Sequence, residues 1–306
     1  ILENWNIENK LPISDIYLVD GAKVSGKVWL VGNEYILKAG DRDKLMNNIK
    51  IAKALNQQGY TSSLPIRTKT GSDYVEDKEL FVLTYSLKGK PLPSSDRFGD
   101  NCSYYAQEYG KSIARLHTAL KSIQDDILPD EVNSYETVVE WALPSLKRQN
   151  AQWNMGIDES FFDDYVQSFG KLYEKLPKQL IHRDPNPSNI LFDNGKVSGF
   201  IDFDLSEINI RLWDVCYCAT GILSEGSDIA YNKWLEILKG ILTAYDLEGK
   251  LTKEEKQAVF YVICSIQMIF LAFLEGNDKY YELAKTNREM LQYIIRQREE
   301  IDKILG

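Results

Sequence analysis

Histidine and cysteine are scarce in this chain of 306 residues. It has two histidines, and its four cysteines form no C-x-x-C pair and have no histidine at zinc-ligand spacing. This scarcity excludes the common zinc motifs and gives no sign of a disulfide framework. We therefore expect reduced, mostly buried thiols at Cys102, Cys216, Cys218 and Cys264.

An excess of positive charge is also absent. Lysine and arginine number 36 against 45 acidic residues, which gives a formal net charge of −9. This balance argues against nucleic acid or an anionic membrane as the main partner, and it is compatible with a cationic small substrate. The opening residues "ILENWNIENK" contain neither a basic region nor an apolar core of a signal peptide, so we expect a cytoplasmic protein.

Long apolar runs are rare. One of them, "AVFYVICSIQMIFLAFL" at residues 258–274, is a little short for a membrane span and contains Ser265 and Gln267. We interpret it as a helix buried inside a helical lobe. The remaining composition, 44% hydrophobic and 26% charged, is that of an ordinary globular protein large enough to divide its core over two lobes.

Residues 180–204, "LIHRDPNPSNILFDNGKVSGFIDFD", concentrate polar residues in a short space. The Asn-Gly pair at 194–195 lies between two apolar runs and predicts a hairpin with a two-residue loop. In that register Asn189 is opposite Phe200, and Asp202 lies one diagonal step further on the same face.

Asp184 precedes Asn189 by five residues, in a loop stiffened by Pro185 and Pro187. The hairpin therefore predicts a cluster of Asp184, Asn189 and Asp202 at its open end. Such oxygen donors suit a hard cation such as Mg²⁺ and match the parts needed for phosphoryl transfer. Asp184 would accept or orient the proton of an attacking hydroxyl, and the other two side chains would hold the metal.

The N-terminal part has the sequence pattern of strands, whereas most of the rest has the pattern of helices. "KVWLV" and "EYILKAG" predict two strands joined by a two-residue loop at Gly32-Asn33, and "SLPIRTKTG" and "ELFVLTYS" predict two more. Between them, "DKLMNNIKIAKALNQQG" has apolar residues at helical spacing. From about residue 102 the pattern is helical, apart from the hairpin.

The motifs resemble those of a known family. "HRDPNPSN" fits H-x-D-x(4)-N, and "IDFD" stands where protein kinases have D-F-G. With the hairpin and "RLWDVCY", the chain resembles the aminoglycoside phosphotransferase and choline kinase family of small-molecule kinases. The resemblance implies an α+β, bilobal, protein-kinase-like fold: a nucleotide-binding lobe at 1–85 with an antiparallel sheet and one helix, and a mostly helical lobe at 86–306.

The resemblance also implies roles for upstream residues. Lys38 stands at the position of the phosphate-binding lysine, and Ser25 and Gly26 lie in a turn over the phosphates. The inter-lobe hinge, where backbone groups would meet adenine, corresponds to Tyr85, Ser86 and Leu87. The resemblance implies Mg²⁺ as the cofactor and ATP or GTP as the co-substrate.

One position departs from the family pattern. The helix after Lys38 usually supplies a glutamate that pairs with this lysine, but here it offers Asn47 and Asn48 and contains no glutamate. We expect Asp41 or Asp43 to orient the lysine instead. The alternative is a catalytically impaired nucleotide-binding module.

The acceptor implied by the resemblance is a small molecule with a hydroxyl group, an aminoglycoside-type antibiotic or a related amino alcohol or sugar. The acidic stretches "IQDDILPDEV" and "GIDESFFDD" favour a polycation, whereas Trp141 and Trp153 suit a quaternary amine. Homoserine, choline and methylthioribose remain alternatives. We expect structural roles for His117, His182, Arg183 and Asp214.

Overall fold

A computed structural model describes residues 1–8, 10–16, 27–127 and 129–306. The phosphate-loop residues Ser25 and Gly26 lie outside these ranges. The described chain begins with an antiparallel sheet in the order β1-β2-β3-β5-β4. Its strands are β1 (Ile13–Asp15), β2 (Lys27–Val31), β3 (Tyr35–Gly40), β4 (Val75–Glu76) and β5 (Leu80–Tyr85), and helix α1 (Arg42–Gln57) connects β3 to β4.

Helix α1 forms where the apolar spacing predicts it. The Asp41 side chain caps its first turn by accepting a hydrogen bond from the Lys44 N–H at 3.1 Å. The apolar face buries Leu45 and Ile49 toward the sheet, and Gly59 with φ +85° follows its end. This cap occupies Asp41, one of the two residues expected to orient Lys38.

Two expectations for the sheet are wrong. Val31 pairs with Tyr35, so the first hairpin has a three-residue loop at 32–34 rather than the two-residue loop expected at Gly32-Asn33. The stretch "SLPIRTKTG" makes only isolated bridges, one of them between Pro65 and Thr84. Proline has no N–H to donate, so this stretch cannot form a continuous ladder with β5.

The second part of the chain is mainly helical and confirms the predicted α+β class. The small hairpin sheet has the order β6-β8-β9, and β10 pairs with β7. The elements are β6 (Lys90–Pro91), α2 (Ser94–Arg97), α3 (Cys102–Ile123), α4 (Ser134–Thr137), α5 (Leu143–Trp153), α6 (Glu159–Asp164), α7 (Gly170–Tyr173), β7 (Lys178–Ile181), β8 (Ile190–Asp193), β9 (Lys196–Phe200), β10 (Glu207–Ile210), α8 (Leu212–Leu223), α9 (Asp228–Gly249), α10 (Lys253–Leu274), α11 (Tyr281–Arg296) and α12 (Arg298–Lys303).

Helix α10 is the long apolar segment. A capping box between Thr252 and Glu255 begins it, and 78% of its most apolar window is buried inside the protein. By length and composition it is the one helix of the described chain that could cross a membrane. Its packing against α8 and α11 makes it the core helix that the sequence predicts.

Helices α3 and α9 cross closely at a glycine. A Cβ atom on Gly110 would overlap the carbonyl oxygen of Ile241 and lie 3.0 Å from the backbone nitrogen of Tyr245. The helix backbones therefore touch at this position, and no side chain fits between them. All four cysteines are free and buried, as expected.

Candidate active site

The hairpin of β8 and β9 forms at the predicted turn, but its register changes along the strands. Asp193 is opposite Lys196, as the two-residue loop requires, and a bulge then leaves Ser198 unpaired. Beyond the bulge Ile190 is opposite Phe200. The predicted pairing of Asn189 with Phe200 is therefore wrong by one residue.

Asn189 lies in a short 3₁₀ turn, Pro187–Asn189, directly before β8. Its amide nitrogen donates to the Asp184 carbonyl at 3.0 Å and to the Asp184 carboxylate at 3.1 Å. The Asn189 carbonyl oxygen accepts from the Ile201 N–H at 3.0 Å, which joins the loop to the end of β9. Since the amide NH₂ is used on Asp184, the side-chain oxygen of Asn189 is the atom left to face a cation.

Asp202 follows β9 in a left-handed backbone conformation with φ +65°. Its side chain is 54% exposed, and its Oδ1 is 3.5 Å from Nζ of Lys38. The structure thus brings Lys38 of β3 to the carboxylate predicted to hold metal, although 164 residues separate them in the sequence.

A second carboxylate lies even closer to the lysine. Asp204 Oδ1 is 2.5 Å from Lys38 Nζ, and the same oxygen accepts a hydrogen bond from Asn48 Nδ2 at 2.6 Å. The predicted partners of the lysine are therefore wrong: Asp41 caps α1, and Lys38 pairs with neither Asp41 nor Asp43. The second aspartate of "IDFD", where protein kinases have glycine, was the sequence signal for this residue.

Asp184 lies in a partly buried position that favours its protonated form. Burial raises the pKa of its carboxyl above the usual value, and the nearby negative charge of Asp202 adds to the rise. The hydroxyl of Tyr217 and the amide of Asn189 oppose it by hydrogen bonding to the carboxylate and lowering the pKa. Sequence reasoning missed Tyr217, because nothing local to α8 indicates that this tyrosine faces the loop at 182–189. That loop is called the catalytic loop below, after the role expected of Asp184.

This pKa shift predicts how stability depends on pH. A carboxyl whose pKa is higher in the folded state stabilises the protein below its ordinary pKa, and that contribution is lost as pH rises through the folded pKa. Asp184→Asn should therefore raise the melting temperature at pH 7 relative to wild type. Thermal melts from pH 3 to 8 should show the gain disappear in acid. An equal gain at every pH would contradict the assignment.

A buried aspartate fixes the catalytic loop. Asp214, fully buried in α8, accepts from the backbone N–H groups of His182 at 2.8 Å and Arg183 at 2.9 Å. The Nε2–H of His117 donates to the same carboxylate at 3.0 Å, while Tyr245 bonds its Nδ1. These contacts agree with the structural roles expected for His117 and Asp214.

His182 and Arg183 also brace the loop. The His182 ring packs 4.4 Å from the Phe203 ring, and its Nε2–H donates to the Ile201 carbonyl at 3.0 Å. Arg183 has φ +74°, and its Nε lies 2.8 Å from the Glu207 carboxylate. Both side chains thus have partners in the segment 201–207 that follows β9.

The hinge residues lie at the end of β5 and directly after it. Tyr85 is 59% exposed, and its ring lies 5.5 Å from that of Tyr35. The Ser86 N–H donates to the Glu34 carbonyl at 2.7 Å, so this donor is already used inside the protein. Within the described residues the Leu87 N–H has no such partner. The adenine-binding role of these residues stays a prediction.

Three carboxylates of the second acidic stretch, at 156–164, have structural partners. Asp158 caps α6, Glu159 pairs with Lys147, and Asp164 accepts from Tyr261 and Arg298. The acidic stretch at 156–164 is therefore weaker support for a polycationic acceptor than the sequence alone indicates. Trp141 and Trp153 are 44% and 40% exposed, and the guanidinium of Arg288 already covers the Trp153 ring at 4.4 Å.

The donor set suits a hard divalent cation. Asp202 and Asn189 offer a carboxylate and an amide oxygen, as Mg²⁺ and Ca²⁺ prefer. No group of three or more His, Cys, Asp and Glu side chains converges in the part of the chain that the structure describes. A cation held here would therefore need further ligands from water and from the phosphates of a nucleotide.

The comparison with protein families decides the classification. The model of the phosphotransferase enzyme family (APH) matches residues 19–250, which is most of the chain. The chain belongs to this phosphotransferase family. The matched segment contains the catalytic loop, Lys38 and the hairpin.

Homoserine kinases are among the proteins of similar sequence. The homoserine kinase of Phenylobacterium zucineum is 24% identical over 213 residues, which cover 67% of this chain and 60% of that protein. The homoserine kinase of Rhodopseudomonas palustris (strain BisB5) is 32% identical over 108 residues, 35% of this chain and 32% of that protein. The chain thus spans between about a third and three fifths of the length of these relatives.

Solved structures confirm the protein-kinase-like fold. The microcompartment-associated aminopropanol kinase superimposes with a TM-score of 0.66 at 14% identity, covering 98% of this chain and 96% of that one. The amicoumacin kinase hAmiN, in complex with AMP-PNP, Ca²⁺ and Ami, gives 0.63 at 14% identity over 95% and 89%. At such low sequence identity the structural similarity supports a conclusion about the fold only.

Proposed function

We propose that this phosphotransferase moves the γ-phosphate of ATP, with Mg²⁺, to the hydroxyl of a small amino alcohol. The observation that carries the proposal is the meeting of Lys38 with Asp202 and of Asp184 with Asn189 at the end of one hairpin. We further propose a cytoplasmic setting, where ATP is plentiful. GTP remains an alternative donor.

Each residue has a defined task in this proposal. Asp184 accepts the proton of the acceptor hydroxyl as that oxygen attacks the γ-phosphate. Asn189 holds the Asp184 carboxylate in place by donating a hydrogen bond from its amide. Asp202 and the side-chain oxygen of Asn189 would hold the metal, which neutralises phosphate charge when bound. Lys38 binds the phosphates through its ammonium group.

The acceptor class rests on two arguments. The relatives and structural neighbours include kinases of homoserine and aminopropanol, both of which combine a hydroxyl with an amine. Three of the acidic groups at 158–164 are used in a helix cap and ion pairs, which weakens one reason to expect a polycation. An antibiotic acceptor is the second candidate, supported by the likeness to the amicoumacin kinase.

A coupled ADP-release screen tests the proposal. The acceptors are homoserine, 1-amino-2-propanol, choline and an aminoglycoside, with 1,2-propanediol as the amine-free match of aminopropanol. We expect ADP release with a small amino alcohol at least about tenfold faster than with its amine-free match, the worth of ~1.4 kcal/mol of recognition. Faster release with the aminoglycoside would favour the second candidate, and equal rates for diol and amine would contradict the small amino alcohol as acceptor.

A further inference from the structure

The lysine of the cleft has two acidic neighbours, and they are not equivalent. Lys38 Nζ is 2.5 Å from Asp204 and 3.5 Å from Asp202, and its side chain is 24% exposed. Asp204 is therefore the direct ion-pair partner. This frees the Asp202 carboxylate, which is the more exposed of the two, for a cation.

The helix supports this ion pair through Asn48. Its Nδ2 donates to the same Asp204 oxygen that contacts the lysine, at 2.6 Å, whereas its own Oδ1 is buried and has no hydrogen-bond partner among the described residues. Leaving this oxygen without a partner costs free energy. The hydrogen bond from the Asn48 amide nitrogen to the charged Asp204 carboxylate offsets that cost and holds the amide in this orientation. A glutamate at this position would instead bring a second negative charge against Asp204.

The two positions thus form a complementary pair. Protein kinases combine a glutamate on the helix with a neutral glycine after D-F. This chain has a neutral asparagine on the helix and an aspartate after D-F, so in either arrangement one carboxylate lies beside the lysine in addition to the aspartate of D-F. The position of the carboxylate has moved from the helix to the segment after β9.

We propose that Asp204 is the positioning residue for Lys38, performing the task of the absent helix glutamate, with Asn48 holding the Asp204 carboxylate in place. This inference rests on the proposed nucleotide-binding function. Asp204 acts through the lysine and does not touch the reacting atoms. In this proposal the negative charge that pairs with Lys38 comes from position 204 instead of the helix. The absence of a helix glutamate is then not a sign of an impaired site.

A charge-relocation experiment tests the proposal. The variants are Asp204→Asn, Asn48→Glu and the double variant that carries both changes, with Asp193→Asn as the matched control at the turn end of the same hairpin. The readouts are the Kd of AMP-PNP with Mg²⁺ by calorimetry, the KM for ATP and kcat, and the melting temperature.

We expect Asp204→Asn to weaken nucleotide binding about tenfold and to lower kcat/KM for ATP by about 10–100-fold, as the loss of a supporting partner does. Asn48→Glu alone should also impair binding, because two carboxylates then face each other. The double variant should recover most of the nucleotide affinity, since Asn48 Nδ2 and Lys38 Nζ contact the same Asp204 oxygen and a carboxylate at position 48 would lie near the lysine. The control should bind as the wild type does.

Three results would overturn the proposal. One is wild-type affinity in Asp204→Asn, and another is a folded double variant with no recovery. The third is tighter nucleotide binding in Asp204→Asn, since the carboxylate would then hold the lysine away from the phosphates. A wild-type protein that binds AMP-PNP but phosphorylates no acceptor would contradict the proposed function alone, and the affinity measurements would still test Asp204.

Discussion

Asp184→Asn should reduce kcat by about 10²–10⁴-fold, the usual worth of a positioned proton acceptor. The asparagine keeps the size of the side chain and an oxygen that can accept from Asn189, so the loop should keep its shape. Because the proposed task of Asp184 concerns the acceptor hydroxyl rather than the nucleotide, the Kd of AMP-PNP should change by less than about threefold, well under ~1.4 kcal/mol. Steady-state kinetics and calorimetry on the same preparation measure both quantities.

The matched control for this variant is Asp193→Asn. Asp193 is an exposed aspartate at the other end of the same hairpin, where it pairs with Lys196 across the turn. It should keep the wild-type rate. Turnover in Asp184→Asn at the wild-type rate would remove Asp184 from the chemistry.

Gly110→Ala should destabilise the fold by about 3 kcal/mol or more, at the upper end of the range for overpacked cores. The added methyl group would collide with the Ile241 carbonyl and the Tyr245 backbone nitrogen, and backbone atoms cannot turn aside as a side chain does. Helices α3 and α9 would have to separate along their crossing. Urea unfolding followed by circular dichroism measures the change.

Gly40→Ala serves as its comparison. A Cβ at Gly40 would meet only Leu45 Cδ1, at 3.9 Å, which is an ordinary van der Waals distance. We expect its free energy of unfolding to stay within about 0.5 kcal/mol of wild type. If both alanine variants unfold at the same urea concentration as wild type, the close approach of α3 and α9 is not real.

Local signals predicted much of the fold. The Asn-Gly turn located the hairpin, the apolar spacing located α1, and the apolar run at 258–274 gave the core helix. Each of these depends on residues that are close in the sequence. The catalytic loop was recognisable for the same reason, because Asp184 and Asn189 are only five residues apart.

Contacts between distant segments could not be predicted in this way. The bond between Asn48 and Asp204 joins residues 156 apart in the sequence, and Tyr217 reaches Asp184 only because α8 packs behind the loop. The bulge at Ser198 was missed for a related reason: its hydroxyl donates to the Lys88 carbonyl, 110 residues earlier. A strand register counted from the turn alone cannot include such a partner.

The ion pair of Arg183 with Glu207 has a consequence for control of the activity. In protein kinases an arginine at this position can form an ion pair with a phosphate group that is added later to the activation loop. Here a carboxylate of the chain itself neutralises the guanidinium, 2.8 Å away, and Trp213 lies beneath it at 3.7 Å. Arg183 therefore has its anionic partner within the chain, and this ion pair braces the loop at 182–189 without an added phosphate.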